Sequence, residues 1–128
     1  MRVLLDTDVL VEVLRQKPAA QVWLAANPAM QAAIPSIVAM ELYLGCPNKR
    51  EMESTRRTLG AYATVHIQER DSLLALQLFR THRLSSGLSI ADTLIAAMAV
   101  NRKETLLSFN VKHFSAIKAL SVREPYDR

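Results

Sequence analysis

The chain has 128 residues, half of them hydrophobic but only 5% aromatic, with one cysteine and a formal charge of +4 at pH 7. That length suits one domain over 1–128, which needs no staples to fold; the hydrophobic share excludes a disordered chain, and the single Cys46 excludes an internal disulfide. No apolar run reaches the roughly 18 residues of a membrane helix, so a soluble, cytoplasmic protein is expected, whose basic balance favours a polyanionic partner.

Residues 2–6 (RVLLD) read as a short buried strand that ends on an acid. Thr7 or Asp8 is then placed to cap a helix through about Arg15, with Val9, Leu10, Val13 and Leu14 at helical spacing. Pro18 opens a second helix, which Asn27-Pro28 ends. A second strand is expected around residues 33–35. Ser36 then serves as N-cap for a helix carrying IVAMELYLG, stopped by Gly45 and Pro47.

Asn48 caps a charged helix to about Leu59, and residues 63–67 (ATVHI) form a third strand. A helix follows from about Asp71 to His82, then a loop over residues 83–89. IADTLIAAMAV reads as a central helix, apolar on nearly every side. Residues 104–109 (ETLLSF) give a fourth strand and residues 120–123 a fifth. Strands separated by helices imply an α/β fold, a parallel sheet of four to five strands covered on both faces. In such sheets ligands bind beyond the carboxyl ends of the strands. Asp6 occupies that end of the first strand, and Ser108 and Asn110 that end of the fourth.

Three acids stand out, each with a structural alternative. Asp6 either caps a helix or faces the crevice, since a bare buried carboxylate is prohibitive. Glu41 lies in an apolar helix whose covered face is read as Ile37, Met40 and Leu44; it reaches either water or Asp6. Asp92 follows Ser89 at capping-box spacing, although Asp is shorter than the preferred Glu or Gln. Asp8 reads as a first-turn acid that suits the helix dipole. Three converging carboxylates would repel unless cations bind, and hard oxygen ligands suit Mg²⁺ or Mn²⁺. Cys46, His66, His82 and His113 are too scattered for a zinc site.

The segments VLLDTDVLVEVLR, IPSIVAMELYLG, GLSIADTLIAAMAV and LLSFNVKHF together resemble the PIN-domain family, specifically its VapC-like ribonuclease toxins. The resemblance implies an α/β/α sandwich, Mg²⁺- or Mn²⁺-dependent RNA cleavage, homodimerisation, and inhibition by a small cognate antitoxin. It implies that Asp6, Glu41 and Asp92 hold the metal. It also matches Thr7 to a hydroxyl beside the first acid, and Ser108 and Asn110 to a polar pair after the fourth strand. His113 stands where many relatives carry a fourth acid, which leaves one or two metals open; it is read as a phosphate contact or a loop cap. Arg15, Lys17, Lys49, Arg83 and Lys112 are candidate RNA phosphate contacts, each otherwise a solvated charge. A non-catalytic PIN-like scaffold is the main alternative. A haloacid-dehalogenase-like phosphatase, with Asp6 as nucleophile, lacks its later Lys and paired acids here.

Overall fold

The computed structural model describes residues 2–128. Five strands, β1 (Arg2–Leu5), β2 (Gln31–Pro35), β3 (Ala63–Val65), β4 (Thr105–Leu107) and β5 (Val122–Arg123), form one sheet in the order β3-β2-β1-β4-β5. All of its pairings are parallel. The helices are α1 (Thr7–Leu14), α2 (Pro18–Ala26), α3 (Ser36–Leu44), α4 (Lys49–Leu59), α5 (Glu69–Ser86), α6 (Ile90–Arg102) and α7 (Val111–Phe114). The expected α/β architecture is present.

Strand β1 shows why the sheet is central. Val3, Leu4 and Leu5 are all fully buried, without the alternation of a strand that has one wet face. Leu106 and Leu107 of β4 and Ile34 of β2 are buried beside them, as in a parallel sheet covered on both sides. Helix α6 is buried from Ile95 to Met98 and on to Ala99, and its small alanines let it lie close against its neighbours. Burial of each large aliphatic side chain here contributes about 1.5–3 kcal/mol, so this strand–helix centre carries much of the stability.

Several local expectations need correction. Helix α1 is capped by Asp6, not by Thr7 or Asp8: its Oδ1 accepts from the Thr7 amide at 2.8 Å. Ser36 is already helical, and Pro35 precedes it without a side-chain cap. On α3 the covered residues are Ile37, Val38 and Leu42, whereas Met40 and Leu44 are exposed at 59% and 86%. Met40 and Leu44 stay outside because an apolar residue costs little in water when the helix has a better face to bury.

Helix α5 runs past His82 to Ser86, through the stretch read as a loop. The Ser85 and Ser86 hydroxyls donate to the His82 carbonyl, and Arg83 Nη1 donates to the carbonyls of Gly87 and Leu88. Gly87 then stops the helix at φ +70°, the left-handed conformation that glycine adopts without a Cβ penalty. At the helix start, Asp71 closes a capping box with Gln68 and accepts from Asn101 Nδ2 at 2.8 Å, joining α5 to α6. The short α7 was not anticipated; four residues carry no readable period. Strand β3 stops at Val65, before the exposed His66 and Ile67.

Candidate active site

The sheet order reverses direction at β1, whose neighbours are β2 on one side and β4 on the other. The crevice therefore opens where β1 and β4 end side by side. Their register pairs Leu5 with Leu107, so the next residues, Asp6 and Ser108, leave the sheet together. The Asp6 amide donates to the Leu107 carbonyl at 3.0 Å, which continues the ladder to the rim.

Asp6 is 6% exposed and Ser108 fully buried. Ser108 Oγ donates to Asp6 Oδ2 at 2.7 Å and in turn accepts from the Asn110 amide at 3.0 Å. Burial pushes the Asp6 carboxyl up from 3.8 to about 6, with the charges of Asp8 and Asp92 adding to it; the bonds from Ser108 and the Thr7 amide oppose the rise. A proton or a cation is thus favoured at this carboxylate.

Glu41, on α3, faces Asp6 through Thr7, whose hydroxyl donates to Glu41 Oε1 at 2.7 Å. Asp92, in the first turn of α6, meets His113 of α7, with Nε2 3.1 Å from Oδ2. The Ser89 hydroxyl caps α6, accepting from the Asp92 amide at 3.0 Å, while the Asp92 carboxylate is engaged with His113. The His113 ring thus lies against the Asp92 carboxylate.

Asp6, Thr7, Glu41, Asp92 and Asn110 border one pocket of about 390 Å³. Asn110 also borders a neighbouring hollow of about 490 Å³, together with Lys112 and His113. Of the candidate cations, Arg15 lines the pocket that Asp6 borders. Lys17 precedes α2 and Lys49 begins α4, both exposed. Arg83 is engaged with the α5–α6 turn. Cys46 lies aside, half-buried, donating to the Leu42 carbonyl and 3.4 Å from Thr55 Oγ1.

The pocket holds residues the sequence reading did not assign to it. Asp8 lies in the first turn of α1, as expected, but also lines the crevice. Its Oδ2 accepts from the Phe109 amide at 3.1 Å, while its Oδ1 is buried with no hydrogen-bond partner. Burial pushes its carboxyl up, against the pull of the Phe109 amide and the Arg128 charge. Glu12 and Arg128 complete the wall. Asp8, Glu12 and Arg15 fall at steps of four and three along α1, a helical-face spacing that marks them in hindsight. Nothing in the sequence marks Arg128.

The donor set is oxygen throughout, and it includes an orphaned buried carboxylate oxygen and an acid held near 6 by burial. Such a set fits a hard divalent cation. Among the described residues, no three Asp, Glu, His or Cys side chains form a finished cage. Glu41 and Asp92 rest instead on the local donors Thr7 and His113.

The PIN domain family model matches residues 3–120. The chain belongs to the PIN-domain family. Ribonuclease VapC19 of Mycobacterium tuberculosis is 33% identical over 114 residues, covering 87% of this chain and 90% of the relative. A toxin–antitoxin complex from Klebsiella pneumoniae superposes with a TM-score of 0.78 at 27% identity, covering 98% of this chain and 99% of that one. The VapBC2 structure from Rickettsia felis, bound to a promoter DNA fragment, has a TM-score of 0.85 at 24% identity and covers 99% and 100%. These PIN-domain likenesses exclude the dehalogenase-like alternative. No helix among the described residues of this PIN domain is long and apolar enough to cross a membrane.

Proposed function

We infer that this VapC-family ribonuclease toxin cuts RNA with Mg²⁺ or Mn²⁺ held by Asp6, Glu41 and Asp92, in a single nuclease domain spanning 1–128. The observation that carries the reading is the buried Asp6 at the β1/β4 switch point, facing Glu41 and Asp92 across one pocket. A bound cation would activate water and offset charge on the scissile phosphate. The chain's own residues orient the ligands: Ser108 fixes Asp6, Thr7 fixes Glu41 and His113 fixes Asp92. Asn110, which borders both hollows, and Lys112, in the second, are the polar groups we assign to the RNA path, together with Arg15 in the first.

The relatives crystallised as toxin–antitoxin complexes support a small cognate antitoxin as partner. Homodimerisation is supported by exposed apolar side chains on two helices, Met40 and Leu44 on α3 and Leu73 and Leu76 on α5. Large apolar groups at such spacing mark a surface made for a partner. We place the protein in the cytoplasm, where RNA substrates and a reduced Cys46 are both accommodated.

The test uses purified, antitoxin-free protein and total cellular RNA with Mn²⁺. Discrete cleavage ends that vanish in EDTA are the expected result. Equal cutting in EDTA would sink the metal-dependent reading, and RNA binding without cutting would return the scaffold alternative. Ser108→Ala should weaken Mn²⁺ binding about 10- to 100-fold, the usual effect of removing a group that orients a metal ligand. A Mn²⁺ titration followed by thermal shift measures it, and an unchanged affinity would remove Ser108 from the site.

A further inference from the structure

Arg128 reaches the active-site pocket from the far end of the chain. The segment around it is strapped across α1 and α2. The Tyr126 hydroxyl donates to Glu12 Oε1 at 3.3 Å, and the Tyr126 ring lies 5.8 Å from Trp23 and 5.1 Å from Phe109, centroid to centroid. Beyond that anchor the Arg128 guanidinium sits over the Phe109 ring, 4.2 Å from its centre. Phe109 is itself fixed, since its amide donates to Asp8 in the pocket wall.

The guanidinium carbon therefore lies over the ring face of Phe109. Its ion pair with Glu12 is long, 3.8 Å, and half of the side chain stays exposed. A cation over an aromatic ring keeps N–H donors that the ring does not take up, and a guanidinium can grip a phosphate through two of them. The surroundings need such a group. Asp6, Asp8, Glu12, Glu41 and Asp92 all line this pocket, and the cations beside them are Arg15 and Arg128. A polyanion entering a carboxylate-lined pocket meets repulsion unless fixed cations on the rim receive its phosphates.

We propose that Arg128 is an RNA phosphate contact of this active site, carried there by the Tyr126 strap and aimed by Phe109. The proposal rests on the ribonuclease reading, because the phosphate it receives belongs to an RNA strand crossing the pocket. Arg128 works with Arg15, which lines the same pocket, and the two together position the backbone without reading its sequence.

The experiment measures binding of a short fluorescein-labelled RNA of mixed sequence by anisotropy, in EDTA so that nothing is cut, across a salt series. For Arg128→Ala we expect Kd to rise about tenfold and the slope of log K against log salt to fall by about 0.7, one single-strand phosphate contact. Arg128→Lys should restore the slope, since it keeps the charge, but only part of the affinity. A loosened strap would shift melting and leave the salt slope alone, so the slope separates contact from scaffolding. Unchanged Kd and slope in Arg128→Ala overturn the proposal, as does tighter binding, which would make the strap a plug. Failure of the wild type to cut any RNA in Mn²⁺ sinks the ribonuclease reading instead, and the anisotropy result still decides whether Arg128 touches phosphate.

Discussion

Asp6→Asn is expected to lower RNA cleavage by about a thousandfold or more, while the fold is retained. A bound metal supplies several kcal/mol of charge stabilisation in the transition state, and about 4 kcal/mol corresponds to three orders of magnitude in rate. Of the three proposed ligands, Asp6 has the least freedom. It is buried, caps α1 through the Thr7 amide, and takes the Ser108 hydroxyl on its other oxygen. Asparagine keeps this shape, accepting from Thr7 and turning its amide to Ser108, so lost activity would reflect lost charge. The measurement is initial cleavage rate in saturating Mn²⁺, alongside a thermal melt. Cleavage within tenfold of wild type, with the melt unchanged, would remove Asp6 from the reaction.

The second large effect concerns stability, and its sign is opposite to that of most carboxylates. The folded Asp6 carboxyl titrates at about 6, against 3.8 for the unfolded chain. Between those values the folded state holds the proton that the unfolded state has released. Asp6 therefore favours the fold fully below 3.8, and that contribution is lost as pH rises towards about 6. At about 1.4 kcal/mol per pH unit the loss is roughly 3 kcal/mol in metal-free protein. For a domain of this size that is on the order of 10 °C in melting temperature.

Asp8 shifts in the same direction and deepens the trend. The difference between wild type and Asp6→Asn across pH 4 to 7.5 isolates the Asp6 share, because the other titrating groups are common to both. We expect the curves to diverge with rising pH, the variant becoming the more stable, and Mn²⁺ to raise the melting temperature of the wild type alone. Parallel curves would show that Asp6 is not strained when charged.

These two effects have one cause. A carboxylate buried beside other carboxylates costs stability, which the proposed cation would offset, and Ser108 and the Thr7 amide limit that cost without removing it. His113 belongs to the same arrangement. It sits against Asp92 and takes up one of its oxygens, a local donor in a site rich in acceptors.

Much of this was legible in the residues. The run Val3–Leu5 ending on Asp6, the apolar helix from Ile90 and the Asn48 cap each declare themselves over a few positions, because burial and capping act locally. The family resemblance then joined Asp6, Glu41 and Asp92. The failures were also physical in origin. On α3 an apolar residue did not mean a covered one, so Met40 and Leu44 were misread. The end of α5 was misread because serine and glycine favour loops on average, whereas Ser85, Ser86 and Arg83 satisfy their helix end directly.

The sequence by itself determined that a parallel α/β sheet would form and that Asp6 would stand at the mouth of its first strand. Hydrophobic period and strand-end position depend only on neighbours along the chain. The tertiary structure decided what Asp6 meets there. Ser108 lies 102 residues away and bonds to it only because β4 pairs with β1. Asp8 and Glu12 became pocket walls through the rotation of α1, and Arg128 arrived through an aromatic strap on Phe109. Contacts of that kind are set by which elements pack together, and no local spacing records them.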